Sequence, residues 1–242
     1  SDFATPQENF WAGNFGREYI DRNRGPRLLA TNLALFARAF TAKQPPASIL
    51  SWAPHRHEPA CAVLLFPDAD LSAVEITADA AKELIEVVDR PQIFEESILT
   101  WEPDGRQWDL VLVKGVLIHL NPDFLHRVYE TMARASSRYV LMCEYFNPEP
   151  VSVPYRGHHD RLFKRDWCSE FLASAPGFRL VDYGFVYRHD PAFPGDDFSW
   201  FLLERVDASR TFASMVPLRP AQPCLGLTED NWVITAKELA FH

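Results

Sequence analysis

Two apolar runs in this chain each end in polar groups that could hold a ligand. The first, L-S-A-V-E-I, finishes at Glu75 and Ile76, and the second, D-L-V-L-V-K-G-V-L-I-H, covers residues 109–119. Such runs are typical of buried parallel strands, whose carboxyl ends deliver side chains to a crevice at one edge of a sheet. A carboxylate after the second strand commonly accepts hydrogen bonds from the two hydroxyls of a ribose. Glu75 therefore predicts a nucleotide-type cofactor site.

A denser polar group follows another apolar run, Y-V-L-M-C-E-Y, at residues 139–145. If that run is a fifth parallel strand, the group lies at the same sheet edge as the cofactor. Its basic members suit a carboxylate, a phosphate or a nucleotide-sugar diphosphate, although a solvated loop with internal salt bridges is the alternative. The predicted substrate-binding residues are Tyr145, Asn147, Tyr155, Arg156, His159, Arg161 and Lys164, and the candidate bases are Glu144, His158 and Asp160.

Three further side chains are candidates for the same site. His119 could act as a general base, because histidine has the unperturbed pKa nearest neutrality, although a helix-packing histidine fits equally well. Ser97 and Ile98 follow a predicted third strand and would flank an adenine, the alternatives being a turn serine and a core isoleucine. The segment H-R-H-E at residues 55–58 does not match H-E-x-x-H, so we expect no metal.

The elements that must position these side chains alternate between strands and helices. Two final strands have no helix between them, and residues 51–62 fit no pattern. We predict an α/β fold with a mostly parallel seven-stranded sheet and one antiparallel edge strand. The predicted strands are residues 47–50, 71–76, 92–98, 109–114, 139–145, 178–187 and 199–205, and the predicted helices are 26–42, 78–87, 121–135 and 164–174.

Composition narrows the class of partner. The chain has 242 residues, of which 47% are hydrophobic, enough for one substantial core, and its net charge of -9 argues against nucleic-acid backbones. No apolar run approaches the roughly 20 residues that span a bilayer, and no signal-peptide pattern begins the chain. Four scattered cysteines without C-x-x-C are typical of reduced thiols. We expect a cytoplasmic protein with a small-molecule substrate and leave its oligomeric state open.

The order of elements resembles the Rossmann-like fold of class I S-adenosylmethionine-dependent methyltransferases. A closer resemblance, over residues 9–205, is to the methylases associated with pseudaminic acid biosynthesis. It implies methyl transfer from S-adenosylmethionine to a nitrogen or oxygen of a small polar acceptor, such as a sugar or nucleotide sugar of surface-glycan (nonulosonate) biosynthesis. The segments that carry it are F-W-A-G-N-F-G-R-E-Y-I-D-R-N (10–23), D-L-V-L-V-K-G-V-L-I-H-L-N-P-D (109–123), C-E-Y-F-N-P-E-P-V-S-V-P-Y-R-G-H-H-D-R-L-F-K-R-D (143–166) and L-V-D-Y-G-F-V-Y-R-H-D-P-A-F-P-G-D-D-F-S-W-F-L-L-E-R (180–205).

The resemblance assigns parts of the chain to this activity. It implies that Lys114 and Gly115 surround the methionine part of the cofactor, although Lys114 could instead pair with an acidic substrate. An aromatic group at the N-terminus could form a lid, or a hydrophobic helix packed on the core. We expect an N-terminal lid or helical segment at 1–46, a methyltransferase domain at 47–205 and a C-terminal tail at 206–242. The expected cofactor-binding residues are Trp11, Phe15, Glu75, Ser97, Ile98, Lys114 and Gly115.

One segment departs from the family pattern. Family members resemble E-L-G-A-N-I-G-M-N-L after the first strand, where glycines let the backbone approach the cofactor, whereas residues 51–62 read S-W-A-P-H-R-H-E-P-A-C-A. Residues 50–62 can be encoded by codons that, when they are read in shifted frames, give E-L-G-A and I-G-M-N-L-R-A. We hypothesise a frame-shifted cofactor loop, which the nucleotide sequence across codons 48–66 tests.

Two other functions stay open at this point. Pro54 and Pro59 in the cofactor loop would suit a methyltransferase-like protein that binds no cofactor and serves as a binding or scaffold module. A nicotinamide-dependent oxidoreductase also places an acid after a strand and a glycine loop. The terminal pair of strands without an intervening helix argues against the oxidoreductase.

Overall fold

The computed structural model describes residues 3–13, 16, 25–54, 57–157 and 159–206. Helices in this part are α1 (Pro6–Ala12), α2 (Pro26–Ala39), α3 (His57–Leu65), α4 (Ala78–Val87), α5 (Leu125–Ala135) and α6 (Trp167–Ser174). Short 3-10 turns cover Leu117–His119 and Pro122–Phe124. The strands are β1 (Ser48–Trp52), β2 (Asp70–Val74), β3 (Gln92–Phe94), β4 (Trp108–Lys114), β5 (Ser136–Glu144), β6 (Val151–Ser152), β7 (Phe163–Lys164), β8 (Phe178–Val186) and β9 (Phe198–Arg205).

The main sheet has seven strands in the order β3-β2-β1-β4-β5-β9-β8. Strands β3, β2, β1, β4 and β5 pair in parallel, and β9 runs antiparallel to both β5 and β8. The predicted α/β fold with a mostly parallel seven-stranded sheet is therefore confirmed. Its antiparallel strand lies second from the edge, because β9 returns between β5 and β8. A separate two-stranded pairing, β6 with β7, lies within the predicted polar loop.

Alternate residues of the central strands enter two core layers on opposite faces of the sheet. In β4, Val111 and Val113 pack in the layer that holds residues of α5 and α6. Leu110 and Leu112 pack in the layer that holds residues of α2 and α3. Helices on both faces leave the carboxyl ends of the parallel strands as the open edge of the sheet.

Helix α3 was not predicted from the hydrophobic pattern, and α1 lies in the N-terminal segment for which a lid and a helix were both left open. Helix α1 begins at a capping box, in which the Thr5 hydroxyl accepts from the Glu8 N–H while the Glu8 carboxylate accepts from the Thr5 N–H. Helix α3 is buried on several sides, so it has no single apolar stripe to detect. Pro59 lies in its first turn, where a helix tolerates proline.

Arg205 connects the end of β9 to the end of α5. Its guanidinium donates to the carbonyls of Ala133 and Ser136 and lies 4.6 Å from the centroid of the Phe178 ring. We expect Arg205→Ala to lower the free energy of unfolding by about 2 kcal/mol, because two carbonyls at a helix end lose their donor. Urea denaturation measures this loss.

Arg179→Ala is the matched control for this prediction. Arg179 pairs with Glu204 on the neighbouring strand, but 62% of its side chain is exposed. Exposed ion pairs contribute little, so we expect a loss below about 0.5 kcal/mol. Equal losses for the two variants would contradict the role given to Arg205.

Candidate active site

A cavity opens at the carboxyl ends of β1, β2 and β4, where the strand order reverses. It encloses about 900 Å³, including its open mouth, a size suited to a nucleotide-like ligand. We call it the first cavity. Its walls are Gln7, Glu8, Trp11, Gly16, Ala53, Pro54, Val74, Glu75, Ile76, Thr77, Ala80, Glu96, Ser97, Ile98, Gly115, Val116, His119 and Leu120.

Glu75 directly follows β2 and lies buried in the wall of the first cavity. Its Oε1 accepts hydrogen bonds from the N–H of Thr77 at 2.8 Å and from the Thr77 hydroxyl at 3.0 Å. Burial raises the pKa of Glu75 to about 7, while these hydrogen bonds oppose the rise. The carboxyl is therefore close to half ionised at neutral pH, and a ligand that donates hydrogen bonds would favour its charged form.

Glu8 is a buried residue of the first cavity that the sequence did not predict. Its Oε2 accepts from the Thr5 N–H at 2.8 Å and from the Thr5 hydroxyl at 2.9 Å. Its Oε1 accepts from the hydroxyl of Ser97, a residue that the sequence placed beside an adenine. The capping-box pattern T-P-Q-E could have revealed α1. Nothing in the sequence indicated contact with Ser97, which lies 89 residues further along the chain.

Helix α1 contacts both the first cavity and the loop after β5. The Trp11 and His119 rings lie 4.4 Å apart between centroids, and Gln7 Nε2 donates to the Asp160 carbonyl at 3.1 Å. The Arg161 guanidinium lies 5.6 Å from the centroid of the Phe10 ring. These contacts place α1 over the first cavity, as a lid requires. The expected cofactor-binding residue Phe15 lies outside the described residues.

His119 lies between two cavities. Its Nδ1 is 2.6 Å from the carbonyl oxygen of Arg161. A carbonyl only accepts, so Nδ1 carries the proton and Nε2 of the neutral ring is an acceptor. This geometry suits the general base predicted from the sequence.

A second cavity adjoins the first, since Gly115 and His119 line both. It encloses about 520 Å³, including its mouth. The complete set of residues that line this second cavity is Lys114, Gly115, Ile118, His119, Cys143, Glu144, Tyr145, Tyr155, Leu162, Asp196 and Phe198.

Glu144 ends β5 and is fully buried in the wall of the second cavity. Its Oε1 accepts from the N–H groups of Val116 and Leu117, both at 3.0 Å. Among the described residues, no hydrogen-bond partner is found for its Oε2. Burial raises the pKa of Glu144 to about 7, although backbone N–H groups lower it in part. This buried oxygen could accept a hydrogen bond or a proton from a molecule bound against the cavity wall.

Lys114, which the family resemblance placed near the cofactor, lines the second cavity and not the first. Its Nζ lies 3.1 Å from Oε1 of Glu58, and both side chains are largely buried. Glu58 belongs to α3, within the segment that departs from the family pattern. This ion pair offsets the positive charge that Lys114 brings to the second cavity.

Only part of the predicted polar cluster lines the second cavity. Tyr145 and Tyr155 line the second cavity, together with the candidate base Glu144. Asp160 lines neither cavity and pairs with Arg161 at 2.5 Å. His158 lies outside the described residues. The predicted substrate-binding residues that line neither cavity are Asn147, Arg156, His159, Arg161 and Lys164.

The structure also bears on metals and membranes. Within the described ranges, no group of three or more His, Cys, Asp or Glu side chains could hold a metal ion. Residues 55–56 of the H-R-H-E segment fall outside those ranges. None of the described helices is both long and apolar enough to cross a bilayer.

Several solved structures of methyltransferases have a similar fold. The mitomycin 7-O-methyltransferase MmcR matches with a TM-score of 0.61 at 16% identity, covering 84% of this chain and 61% of MmcR. The N-methyltransferase NodS from Bradyrhizobium japonicum, in complex with S-adenosyl-L-homocysteine, matches with a TM-score of 0.60 at 10% identity, covering 78% of this chain and 98% of NodS.

A third match is the 1,6-didemethyltoxoflavin-N1-methyltransferase of Burkholderia thailandensis, with a TM-score of 0.59 at 16% identity, covering 86% of this chain and 93% of that chain. No protein-family model and no curated protein matches the sequence. The likeness is therefore one of fold, and the chain has the Rossmann-like fold of the class I methyltransferases.

Proposed function

We propose that this chain is a methyltransferase that uses S-adenosylmethionine and methylates a nitrogen or oxygen of a small polar acceptor. The observation that carries the proposal is the pair of adjoining cavities, one beside buried Glu75 and one beside buried Glu144. Transfer between two molecules requires both in one enclosed space with their reacting atoms aligned. When bound, S-adenosylmethionine supplies an electrophilic methyl group on a sulfonium.

The residues of the first cavity fit this cofactor. Glu75 can accept hydrogen bonds from the two ribose hydroxyls, and the apolar side chains of Ile76 and Ile98 can flank an adenine. Gly115 has a φ of 66°, which glycine adopts without strain and which keeps the wall between the cavities free of a side chain. Trp11 of the lid would exclude water from the reacting centre.

The residues of the second cavity would hold the acceptor and take its proton. His119 lies at the boundary of the cavities with its Nδ1 bonded to the Arg161 carbonyl, and Glu144 lies in the wall of the second with its Oε2 lacking a hydrogen-bond partner among the described residues. Either group can remove a proton from an attacking amine or hydroxyl. MmcR and NodS are named for O- and N-transfer, so the fold itself is compatible with both acceptor atoms.

The finer parts of the proposal rest on the sequence resemblance. It favours a sugar or nucleotide sugar of surface-glycan biosynthesis, of the pseudaminic acid type, as the acceptor. The scattered cysteines favour a cytoplasmic location. The proposed division into a lid segment (1–46), a methyltransferase domain (47–205) and a tail (206–242) follows the same resemblance.

The backbone conformation after β1 is one that glycine favours, as the family's cofactor loop would have. Ala53 has a φ of 42°, a left-handed conformation that alanine rarely adopts, and its N–H donates to the Val74 carbonyl at 2.8 Å. Ala53 occupies the glycine position of the family pattern E-L-G-A. This coincidence supports the proposed frame shift, since the fold still requires the turn that a glycine would make.

A second candidate function is a binding module that no longer takes the cofactor. Ala53 and Pro54 line the first cavity where the family pattern has small or flexible residues, which favours this reading. Calorimetry with S-adenosylhomocysteine separates the two functions. Micromolar binding supports the enzyme, and no measurable binding supports the module.

Glu75 should make the affinity for S-adenosylhomocysteine depend on pH. Its pKa near 7 is above the usual value for glutamate, and ribose hydroxyls stabilise the ionised form, so binding should release a proton. We expect the affinity to fall about tenfold from pH 8 to pH 6 as the carboxyl becomes protonated. Calorimetry at each pH measures the change.

Glu75→Gln is the control for the pH effect. It should bind S-adenosylhomocysteine at least about tenfold more weakly at pH 8, because two charge-assisted hydrogen bonds are lost. Its affinity should also become nearly constant between pH 6 and pH 8. An unchanged pH dependence in this variant would assign the effect to another group and remove Glu75 from the cofactor site.

The lid should hold the cofactor through Glu8. We expect Glu8→Ala to speed dissociation of S-adenosylhomocysteine by about tenfold, because α1 loses the side-chain half of its capping box and its bond to Ser97. Stopped-flow fluorescence of the tryptophans follows the dissociation. Asn9→Ala, a change at an exposed residue of the same helix that removes hydrogen bonds to Phe3 and Thr5 but none to Ser97, should leave the rate within about twofold. Equal effects of the two changes would refute the lid role.

Ala53→Gly should improve both folding and cofactor binding. Relief of the left-handed strain should raise the free energy of unfolding by about 1 kcal/mol, and loss of the methyl group should raise the affinity for S-adenosylhomocysteine at least about threefold. Ala42 has a φ of 56° and does not line the first cavity, so Ala42→Gly should stabilise without changing the affinity. Weaker cofactor binding by Ala53→Gly would count against a glycine-type loop.

A further inference from the structure

Carboxyl groups and aromatic rings line the second cavity, and the inference drawn from them rests on the function proposed above. Two carboxyl groups line it: Glu144 at the floor, with Oε2 lacking a hydrogen-bond partner within the described residues, and Asp196, an exposed side chain. The described part of the chain offers Asp196 no ion pair within 4.0 Å. The only cationic side chain in the lining set is Lys114, whose charge Glu58 offsets at 3.1 Å.

The remaining walls are aromatic and aliphatic. The rings of Tyr145, Tyr155 and Phe198 line the cavity, beside Ile118 and Leu162. Ring faces attract cations, and the Lys114 Nζ already lies 5.4 Å from the centroid of the Phe198 ring. Carboxyl groups combined with aromatic rings are the surroundings that recognise an ammonium group.

The basic residues that suited an anionic acceptor are not among the residues that line the cavity, and Arg161 pairs with Asp160. Lys164 Nζ and the Arg156 guanidinium lie 5.2 Å and 5.8 Å from the ring centroids of Tyr145 and Tyr155, outside the lining set. A phosphate or carboxylate in this cavity would meet two acids and one neutralised lysine. The surroundings therefore oppose an anion at the position next to the cofactor cavity.

We infer that the second cavity binds an acceptor through a primary amine, which enters as an ammonium and is methylated on nitrogen. Before reaction, the ammonium gives one proton to the Glu144 carboxylate or to Nε2 of His119. The nitrogen lone pair then forms the new bond to the methyl carbon, and the carbon–sulfur bond breaks with its electron pair remaining on sulfur. The products are a methylammonium, S-adenosylhomocysteine and the proton held by the protein, so charge and atoms balance.

Three probes test this inference, each a cyclohexane ring with a different polar group: cyclohexylamine, cyclohexanol and cyclohexanecarboxylate. Their binding is followed by NMR titration of the full chain, with and without saturating S-adenosylhomocysteine. We expect the amine to bind at least about tenfold more tightly than the alcohol, and the carboxylate to bind more weakly still. Equal affinities, preference for the carboxylate, or no binding of the amine would overturn the inference.

Two variants assign the preference to the cavity. Glu144→Gln should weaken amine binding at least about tenfold, and this loss should exceed any loss of affinity for S-adenosylhomocysteine, because Glu144 lines the second cavity and reaches the first only through the N–H of Val116. Asp196→Asn, a change at an exposed residue that folding should tolerate, should weaken it about threefold. Asp160→Asn is the control, since Asp160 lines neither cavity, and an effect equal to that of Asp196→Asn would overturn the assignment.

Failure of the amine inference and failure of the proposed methyltransferase function can be told apart. Failure of S-adenosylhomocysteine to bind would remove the methyltransferase, and the titration of the free protein would still decide whether the cavity selects amines. Binding of S-adenosylhomocysteine without a preference for the amine would retain the methyltransferase and reject the amine acceptor.

Discussion

The parallel pairing of β1 with β2 on one side and with β4 on the other determines where this protein can bind ligands. The chain leaves β1 and β2 in one direction across the sheet and resumes at β4 in the other, so the connections separate at the carboxyl end of β1. The resulting crevice needs no special residues to form. The residues that follow the strands line this crevice, including Glu75 after β2 and Gly115 after β4.

Two buried carboxyl groups make this crevice chemically specific. Glu75 and Glu144 are each held by backbone N–H groups at one oxygen, and burial raises the pKa of each to about 7. A buried carboxylate is costly unless hydrogen bonds compensate it. In the proposed function, a ribose beside Glu75 and a proton donor beside Glu144 would supply further hydrogen bonds that stabilise the ionised carboxylates.

The sheet and its strand ends were predictable from the sequence because their physical signal is local. Apolar runs followed by polar groups gave β2, β4 and β5 to within a few residues, and with them the positions of Glu75, Gly115 and Glu144. The antiparallel strand was also predictable, since no helix separates the last two strands. Helix α3 was not, because a helix buried on several sides leaves no periodic pattern.

Side-chain direction in the polar loop could not be predicted either. Tyr155 lines the second cavity, whereas three basic residues close to it in the sequence do not: Arg156, Arg161 and Lys164. The β6–β7 pairing and the contacts of α1 decide which side chains turn inward, and both depend on residues far apart in the chain.

Helix α1 joins the two halves of the site in one structural unit. Glu8 contacts Ser97 in the first cavity, Trp11 contacts His119 at the boundary, and Gln7 contacts the loop that carries Tyr155. Movement of this short helix would therefore disturb the first and the second cavity together. A seven-residue helix has little stability of its own, so its position depends on these tertiary contacts and on whatever fills the cavities beneath it. Filling of either cavity would favour the position of α1 seen here, and under the proposed function this would help to exclude water from the reacting methyl group once both ligands are bound.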